Sequence, residues 1–202
     1  MASIIVSPLE TLELMMNKTL VLVFHPDLSQ SRANAALAER ARALSGVEVV
    51  NMQATYPNGI DMRRDGEREA KRLLEAERIV LQFPIQWYST PPLLKAWEDA
   101  VLTRMFYIAY EAEGRLLEGT PLMVAGTAGN SAEAYQPGGA NMFAIADMFT
   151  PLRATANRCG LIWTEPFVVY RADKLSAGEI ENAGENYAAA LTNWIVNSGS
   201  RG

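Results

Sequence analysis

The regular alternation of short apolar runs with longer amphipathic segments most constrains how this chain can fold. The runs hold six to eight residues and are rich in Val, Ile, Leu and Phe. Such nearly continuous apolar character is typical of strands that are buried on both faces, as in a parallel sheet. The predicted strands are Thr19–Phe24, Val47–Met52, Arg78–Phe83, Thr120–Gly126 and Trp163–Tyr170.

A helical segment follows each of these runs, because apolar residues there recur every three or four positions. The predicted helices are 33–44, 64–76, one from Pro92 onward, 143–158 and 176–196. Pro151 is expected to break or kink the fourth of them. The alternation predicts a doubly wound α/β domain with a parallel sheet. We expect residues 18–202 to form this single domain and residues 1–17 to be an N-terminal leader outside its core.

Composition removes several classes of function. The net charge of −5 argues against nucleic acid as the main partner, since phosphate backbones require a basic face. Cys159 and His25 are the only cysteine and histidine, so neither an internal disulfide nor an ordinary zinc site is expected. No apolar run approaches the length of a membrane span. These features predict a cytoplasmic protein without a metal and without membrane insertion.

Ligands of parallel α/β sheets bind beyond the carboxyl ends of the strands, which directs attention to the loops after strands one, three and four. The first loop, HPDLSQSRAN, runs into a helix start. Ser29, Ser31 and Asn34 can offer donors there beside free backbone N–H groups, as at a phosphate site. Plain N-capping by Ser29 or Ser31 is the alternative. Neither GxGxxG nor GxxxxGK[ST] is present, so a Rossmann site or a P-loop is unsupported.

The second and third loops carry aromatic residues and glycines. In PIQWYSTPP, Trp87 and Tyr88 can form walls for a flat ring and Gln86 can bond to it, or the aromatics can simply cover the sheet end. In TAGNSAEAYQPGGAN, glycines permit close approach of backbone and Tyr135 can donate to a carbonyl, or the loop is merely flexible. Phosphate at loop one and a planar ring between loops two and three is the layout of a flavin mononucleotide site.

Longer motifs extend this interpretation to a family. VLVFHPDLSQSRAN, RIVLQFPIQWYSTPPLLKAWEDAVL, AYQPGGANMF, PLRATANRCGL and PFVVY resemble the flavodoxin-like NAD(P)H:quinone oxidoreductases. These include DT-diaphorase, the general stress protein 14 type and the Kef ancillary oxidoreductases, and the resemblance covers residues 18–196. It implies a three-layer flavodoxin-like fold whose five-stranded parallel sheet has the order 2-1-3-4-5, with helices on both faces, and a homodimer.

The resemblance also implies which residues form the flavin site. Trp87 and Tyr88 would wall the ring, Tyr135 would polarise a flavin carbonyl, and these three carry the expected catalytic roles. Tyr110 resembles an aromatic that reaches the neighbouring subunit's site. The complete set expected to bind the cofactor is His25, Ser31, Arg32, Ala33, Asn34, Pro84, Ile85, Gln86, Trp87, Tyr88, Thr127, Ala128, Gly129, Asn130 and Tyr135.

Two departures from the family pattern affect the third loop. A segment that is usually TTGG is TAGN here, at residues 127–130, so one hydroxyl is replaced and an amide is added. The stretch 138–142 has no histidine, whereas the animal quinone reductases pair their tyrosine with one. A mechanism that depends on a His–Tyr relay is therefore not expected.

The function implied by the resemblance is two-electron reduction of quinones, with azo and nitro compounds as further acceptors, by ping-pong hydride transfer from NAD(P)H. FMN is expected rather than FAD, because the match is to the small bacterial branch and no adenine-binding segment is evident. The alternative is a flavin-binding regulatory subunit of a potassium efflux antiporter. An electron-transfer flavodoxin is less favoured, because those proteins lack the FPxQWY turn.

Overall fold

The architecture is a parallel sheet between two helical layers. The computed structural model describes residues 18–198, so the leader predicted for residues 1–17 lies outside the described residues. The strands are β1 (Thr19–Val23), β2 (Val47–Asn51), β3 (Arg78–Pro84), β4 (Pro121–Thr127), β5 (Ile162–Trp163) and β6 (Phe167–Val169).

The sheet has the order β2-β1-β3-β4-β5, and all of its pairings are parallel. The central register places Val21 of β1 between Val49 of β2 and Val80 of β3. The predicted flavodoxin-like fold and its strand order 2-1-3-4-5 are thereby confirmed. The order reverses beside β1, so a crevice opens at the carboxyl ends of β1 and β3.

The last strand differs from its prediction. Residues 163–170 were expected to form one strand, but two short strands, β5 and β6, both pair with β4. Thr164, Glu165 and Pro166 separate them. Pro166 has no backbone N–H, so it cannot donate to the ladder, and the pairing stops before it and resumes after it.

Helices cover both faces of the sheet. They are α1 (Ala33–Arg42), α2 (Met52–Thr55), α3 (Met62–Leu74), α4 (Pro92–Trp97), α5 (Arg115–Leu117), α6 (Ile145–Met148), α7 (Thr150–Arg158) and α8 (Ala177–Asn197). One face packs on α1 and α8, and the other packs on α3, α4 and α7. Between α4 and α5 the chain forms three π-helical turns, Glu98–Leu102, Arg104–Ile108 and Tyr110–Gly114.

The end of β2 and the fourth predicted helix differ from their predictions. Met52 begins α2 instead of ending β2, because the Asn51 side chain accepts a hydrogen bond from the Ala54 N–H and caps a new helix. The helix predicted for 143–158 begins at Ile145 and divides at Phe149 into α6 and α7. Pro151 lies in the first turn of α7, where its missing N–H costs no helical bond.

Cys159 is buried in the core, and burial raises the pKa of its thiol to about 11. It therefore packs as a small apolar side chain rather than as a reactive thiolate. Among the described residues, no helix combines the length and apolar content that crossing a bilayer requires.

Candidate functional site

A cleft of about 400 Å³ opens at the carboxyl ends of β1, β3 and β4, beside the first turn of α1. It gathers the last residues of β3 and β4 and residues from the loops after β1 and β4, as the topology predicts. Eight of the expected site residues line it, namely His25, Ser31, Arg32, Ala33, Asn34, Pro84, Thr127 and Gly129.

Ser31 opens α1 at the floor of this cleft. Its Oγ accepts a hydrogen bond from the Asn34 N–H at 3.1 Å, which is the capping geometry of the alternative interpretation. Ser29 has a different role, since its hydroxyl donates to Asp27 at 2.6 Å, so the expectation that it serves the helix start is wrong. The remaining N–H groups of the first turn have no helical acceptor, and the neighbouring Arg32 is exposed. This end of the cleft suits an anion.

His25 stands at the end of β1 with a defined tautomer. Its Nδ1 accepts a hydrogen bond from the Asp27 N–H at 3.1 Å, so the proton of the neutral ring is on Nε2. Burial lowers the pKa of His25, and the backbone contact and charge of Asp27 oppose that shift without cancelling it. At neutral pH the ring is therefore an uncharged N–H donor.

The TAGN segment uses its side chains inside the protein. Thr127 Oγ1 accepts from the Asn34 side-chain amide at 2.9 Å, and both residues are buried. Ala128 is buried and its N–H donates to the Val169 carbonyl at 2.8 Å. Asn130 Oδ1 accepts from the Ser131 N–H at 2.9 Å. The amide gained at position 130 thus stabilises the loop itself.

The turn after β3 is tight, exposed and strained. Gln86 and Ser89 exchange two backbone hydrogen bonds, each of 3.0 Å, across Trp87 and Tyr88. Both central residues have positive φ, 48° and 63°, as in the type I′ turns that usually carry Asn-Gly. Backbone strain of this kind costs about 1 to 3 kcal/mol for each residue. The side chains of Trp87 and Tyr88 are 94% and 51% exposed, so their packing does not offset this cost. Strain of this kind concentrates at functional sites.

Tyr135 lies on the third loop among other phenols. Its ring is buried and its centroid is 6.1 Å from that of Tyr170, which follows β6. Burial raises the pKa of both phenols, so both remain protonated donors at neutral pH. Tyr88 reaches this loop through a hydrogen bond of 3.4 Å from its hydroxyl to Asn141 Oδ1. Asn141 belongs to the stretch 138–142, which has no histidine.

The expected site residues therefore form two adjoining groups. The cleft holds the eight residues named above, and the other seven lie outside its lining in the neighbouring turns. Those seven are Ile85, Gln86, Trp87, Tyr88, Ala128, Asn130 and Tyr135.

Sequence reasoning missed three residues of the cleft, Gln30, Ala172 and Asp173. Ala172 and Asp173 lie in the loop after β6, and Asp173 Oδ1 comes within 3.6 Å of where a Cβ on Gly129 would be. The rule that identified the other loops also identifies this one, because β6 joins the same parallel sheet.

Comparison with known proteins agrees with this architecture. Residues 17–193 match a family model described as flavodoxin-like fold. The chain belongs to this flavodoxin-like family. Its relative KefF, the glutathione-regulated potassium-efflux system ancillary protein of Klebsiella pneumoniae (strain 342), is 34% identical over 175 residues, 87% of this chain and 95% of KefF.

Two solved structures of the flavodoxin-like fold extend the comparison. General stress protein 14 in complex with FMN, from Treponema denticola, has a TM-score of 0.78 and 32% identity over 87% of this chain and 98% of that chain. An NADPH-quinone reductase from P. pentosaceus has a TM-score of 0.72 and 28% identity over 87% of this chain and 98% of that chain. The family resemblance read from the motifs is confirmed.

The residues present fit a flavin mononucleotide. The α1 start and Arg32 suit a phosphate, and the exposed Trp87–Tyr88 turn offers aromatic surface to a flat ring. A Cβ on Gly126, in β4, would come within 3.0 Å of the Phe149 ring, and one on Gly139, in the third loop, within 2.4 Å of the Glu133 carbonyl oxygen, so the backbone is closely packed at both positions. The site is thus a polar cleft with an aromatic rim.

Proposed function

We propose that this protein is an FMN-dependent NAD(P)H oxidoreductase that reduces quinones and, more broadly, flat electrophiles such as azo and nitro compounds. The observation that carries the proposal is the strained, solvent-exposed Trp87–Tyr88 turn beside an anion-binding cleft at the switch point of the sheet. Protein stability does not explain two exposed, bulky aromatic residues in left-handed backbone, whereas stacking on a planar ligand does.

FMN rather than FAD is part of this proposal. The cleft of about 400 Å³ has one phosphate-suited end, at α1, and general stress protein 14 of Treponema denticola was solved with FMN. In our proposal Ser31, Arg32 and the first-turn N–H groups of α1 hold the phosphate, and the neutral His25 donates from Nε2.

The ring of the cofactor would lie between the second and third loops. Bound FMN supplies a centre that takes up and releases hydride. Trp87 and Tyr88 would orient the ring by stacking, and Tyr135 would donate a hydrogen bond to a carbonyl edge on which negative charge accumulates. The raised pKa of Tyr135 keeps that proton on the phenol. These are binding and electrostatic roles and need no covalent step by the protein.

The exposed face of the turn also supports the proposed kinetics. One open aromatic face serves both the nicotinamide and the quinone, so the oxidised nucleotide must leave before the acceptor enters. This order is ping-pong. The relative named as an NADPH-quinone reductase supports the quinone as acceptor. The proposed location is the cytoplasm.

A homodimer completes the proposed enzyme. The π-helical segment exposes a contiguous set of large apolar side chains, with Tyr107 69% and Ile108 65% exposed, and Tyr110 lies beyond them. A groove of about 620 Å³ lies alongside, between this segment and α7. Exposed apolar surface of this kind is typical of protein interfaces. Tyr110 is held by a hydrogen bond of 2.7 Å to Glu118 and would face the partner subunit's site.

A regulatory role is the second candidate, because the chain is 34% identical to KefF, an ancillary protein of a potassium-efflux system. In this case the protein would bind flavin and act by contact with an antiporter. The two candidates differ in turnover, since a regulatory subunit need not reduce a quinone rapidly.

An absorbance spectrum of the purified protein is the deciding test. We expect flavin bands that bleach on anaerobic addition of NADPH or NADH and return on addition of a quinone, with FMN as the cofactor released on denaturation. A protein that retains flavin but turns over no quinone would favour the regulatory role. A protein that binds neither FMN nor FAD would contradict both candidates.

A further inference from the structure

One buried polar side chain beneath the cleft has no place in the function described so far. Gln82 lies near the end of β3, is 0% exposed, and is flanked in the sheet by Val23 of β1 and Ala125 of β4. Its side chain shares a face of β3 with Val80, against an otherwise apolar core. An apolar residue would suit this environment better, because burying an amide costs free energy wherever its hydrogen bonds are incomplete.

The hydrogen bonds of Gln82 are incomplete. Its Oε1 is buried and has no hydrogen-bond partner among the described residues. A buried polar atom without a partner costs about 1 to 3 kcal/mol. The amide therefore carries a cost at this position that an apolar side chain of the same shape would not carry.

The amide nitrogen of Gln82 contacts Asn34, which lines the cleft. Nε2 of Gln82 donates to the Asn34 backbone carbonyl at 2.9 Å and lies 3.4 Å from Asn34 Oδ1. The Asn34 amide donates in turn to Thr127 Oγ1 at 2.9 Å. Three buried side chains thus connect β3, the first turn of α1 and the end of β4, which are three of the elements around the cleft.

We propose that Gln82 is a positioning residue for the phosphate end of the flavin site. Through Asn34 it fixes the first turn of α1 against Thr127, so that the N–H groups of that turn and the Ser31 cap point at one place. Gln82 lies beneath the cleft and is not among its lining residues, so it acts through the backbone of α1. The inference rests on the proposed function, because it presumes that FMN binds in this cleft.

The test compares FMN with riboflavin, which has the same ring and ribityl chain but no phosphate. Gln82→Met keeps the length and shape of the side chain and removes its donors. We expect the Kd for FMN, measured by quenching of flavin fluorescence in the apo protein, to rise about tenfold, and the Kd for riboflavin to stay within about twofold of wild type. The Tm of the apo variant should not fall, because the unpaired Oε1 is removed together with the donor.

Val80→Ala is the matched control, since Val80 is fully buried on the same face of the same strand. It should lower the Tm by creating a cavity and leave both dissociation constants near wild type. Gln82→Leu is a second variant that should behave like Gln82→Met.

Three results would overturn the role of Gln82. They are an unchanged FMN Kd in Gln82→Met, an equal weakening of FMN and riboflavin binding, and failure of both Gln82 variants to fold. Each would show that the Gln82 amide stabilises the hydrophobic core and does not position the groups that bind the FMN phosphate. A wild-type protein that binds neither flavin would instead overturn the proposed function, and this inference with it.

Discussion

At the scale of single residues, Trp87 and Tyr88 depart furthest from what local physics favours. Left-handed backbone suits Gly and Asn, and a bulky aromatic side chain adopts it at a cost. Here two adjacent aromatics do so with φ of 48° and 63°, and Trp87 is 94% exposed. The strain is therefore maintained for a purpose other than the stability of the apo protein.

Replacing Trp87 tests whether this residue serves flavin binding at the expense of stability. Trp87→Asn should raise the free energy of unfolding of the apo protein by about 1 kcal/mol, because Asn tolerates the left-handed region. The same change should weaken FMN retention or slow quinone reduction about tenfold or more, because the ring loses one wall. Denaturant unfolding and flavin titration measure the two effects, and Trp87→Phe, which keeps a ring, is the control. Wild-type flavin binding and quinone reduction in Trp87→Asn would contradict the role given to Trp87.

His25 predicts a pH dependence of apo stability. Its pKa is lowered from 6.5 in the folded state, chiefly by burial, so the folded protein binds fewer protons than the unfolded chain between that lowered value and 6.5. Stability therefore falls as the pH falls through this window and is unaffected by His25 above it. The pKa of Asp27, also lowered, starts from 3.8, so its effect belongs to more acidic solutions.

The measurement is urea unfolding of the apo protein at about pH 7.5 and about pH 5.5. Wild type should lose more stability between these values than His25→Gln, whose side chain does not titrate. An equal loss in both proteins would show that burial of His25 does not penalise its charged form.

At the scale of elements, the third loop depends on one glycine for its shape. A Cβ on Gly139 would lie 2.4 Å from the Glu133 carbonyl oxygen and 2.7 Å from that of Ala134, whereas one on Gly138 would meet nothing within 4 Å. Gly139→Ala should displace the turn that carries Tyr135 and weaken FMN binding about tenfold or more.

Gly138→Ala is the neighbouring control for this prediction. Gly138 has a φ of +82°, so the alanine variant should lose about 1 to 2 kcal/mol of stability from backbone strain alone. Its flavin affinity should stay near wild type, because no neighbouring atom has to move. Flavin titration of both variants measures the contrast, and equal effects on affinity would show that close packing at Gly139 does not shape the site.

At the scale of the whole molecule, the exposed apolar side chains of the π-helical segment predict self-association. Ile108→Glu should convert a dimer into a monomer in light scattering, because a charge would be buried in the interface. Val196→Glu is the matched control, since Val196 is an exposed apolar residue of α8, on the other side of the sheet, and 76% exposed. A wild-type monomer, or a dimer that survives Ile108→Glu, would contradict the proposed interface.

The sequence is sufficient to predict the architecture, because the alternation of apolar runs and amphipathic helices admits few topologies besides a doubly wound parallel sheet. It also located three of the four loops at the cleft, since ligand sites of such sheets follow strand ends. The division of the last strand at Pro166 was within reach of the sequence, because a proline interrupts a ladder, but pairing of both pieces with β4 depends on the neighbouring strand.

The contacts that join the residues of the site depend on the tertiary structure. The contact from Gln82 through Asn34 to Thr127 joins residues up to 93 positions apart, and no local pattern specifies it. The left-handed backbone of Trp87 and Tyr88 is imposed by the two hydrogen bonds between Gln86 and Ser89, against the preference of both aromatic residues. Local propensity and periodicity encode elements, whereas long-range hydrogen bonds and strain arise only once the packed elements constrain one another.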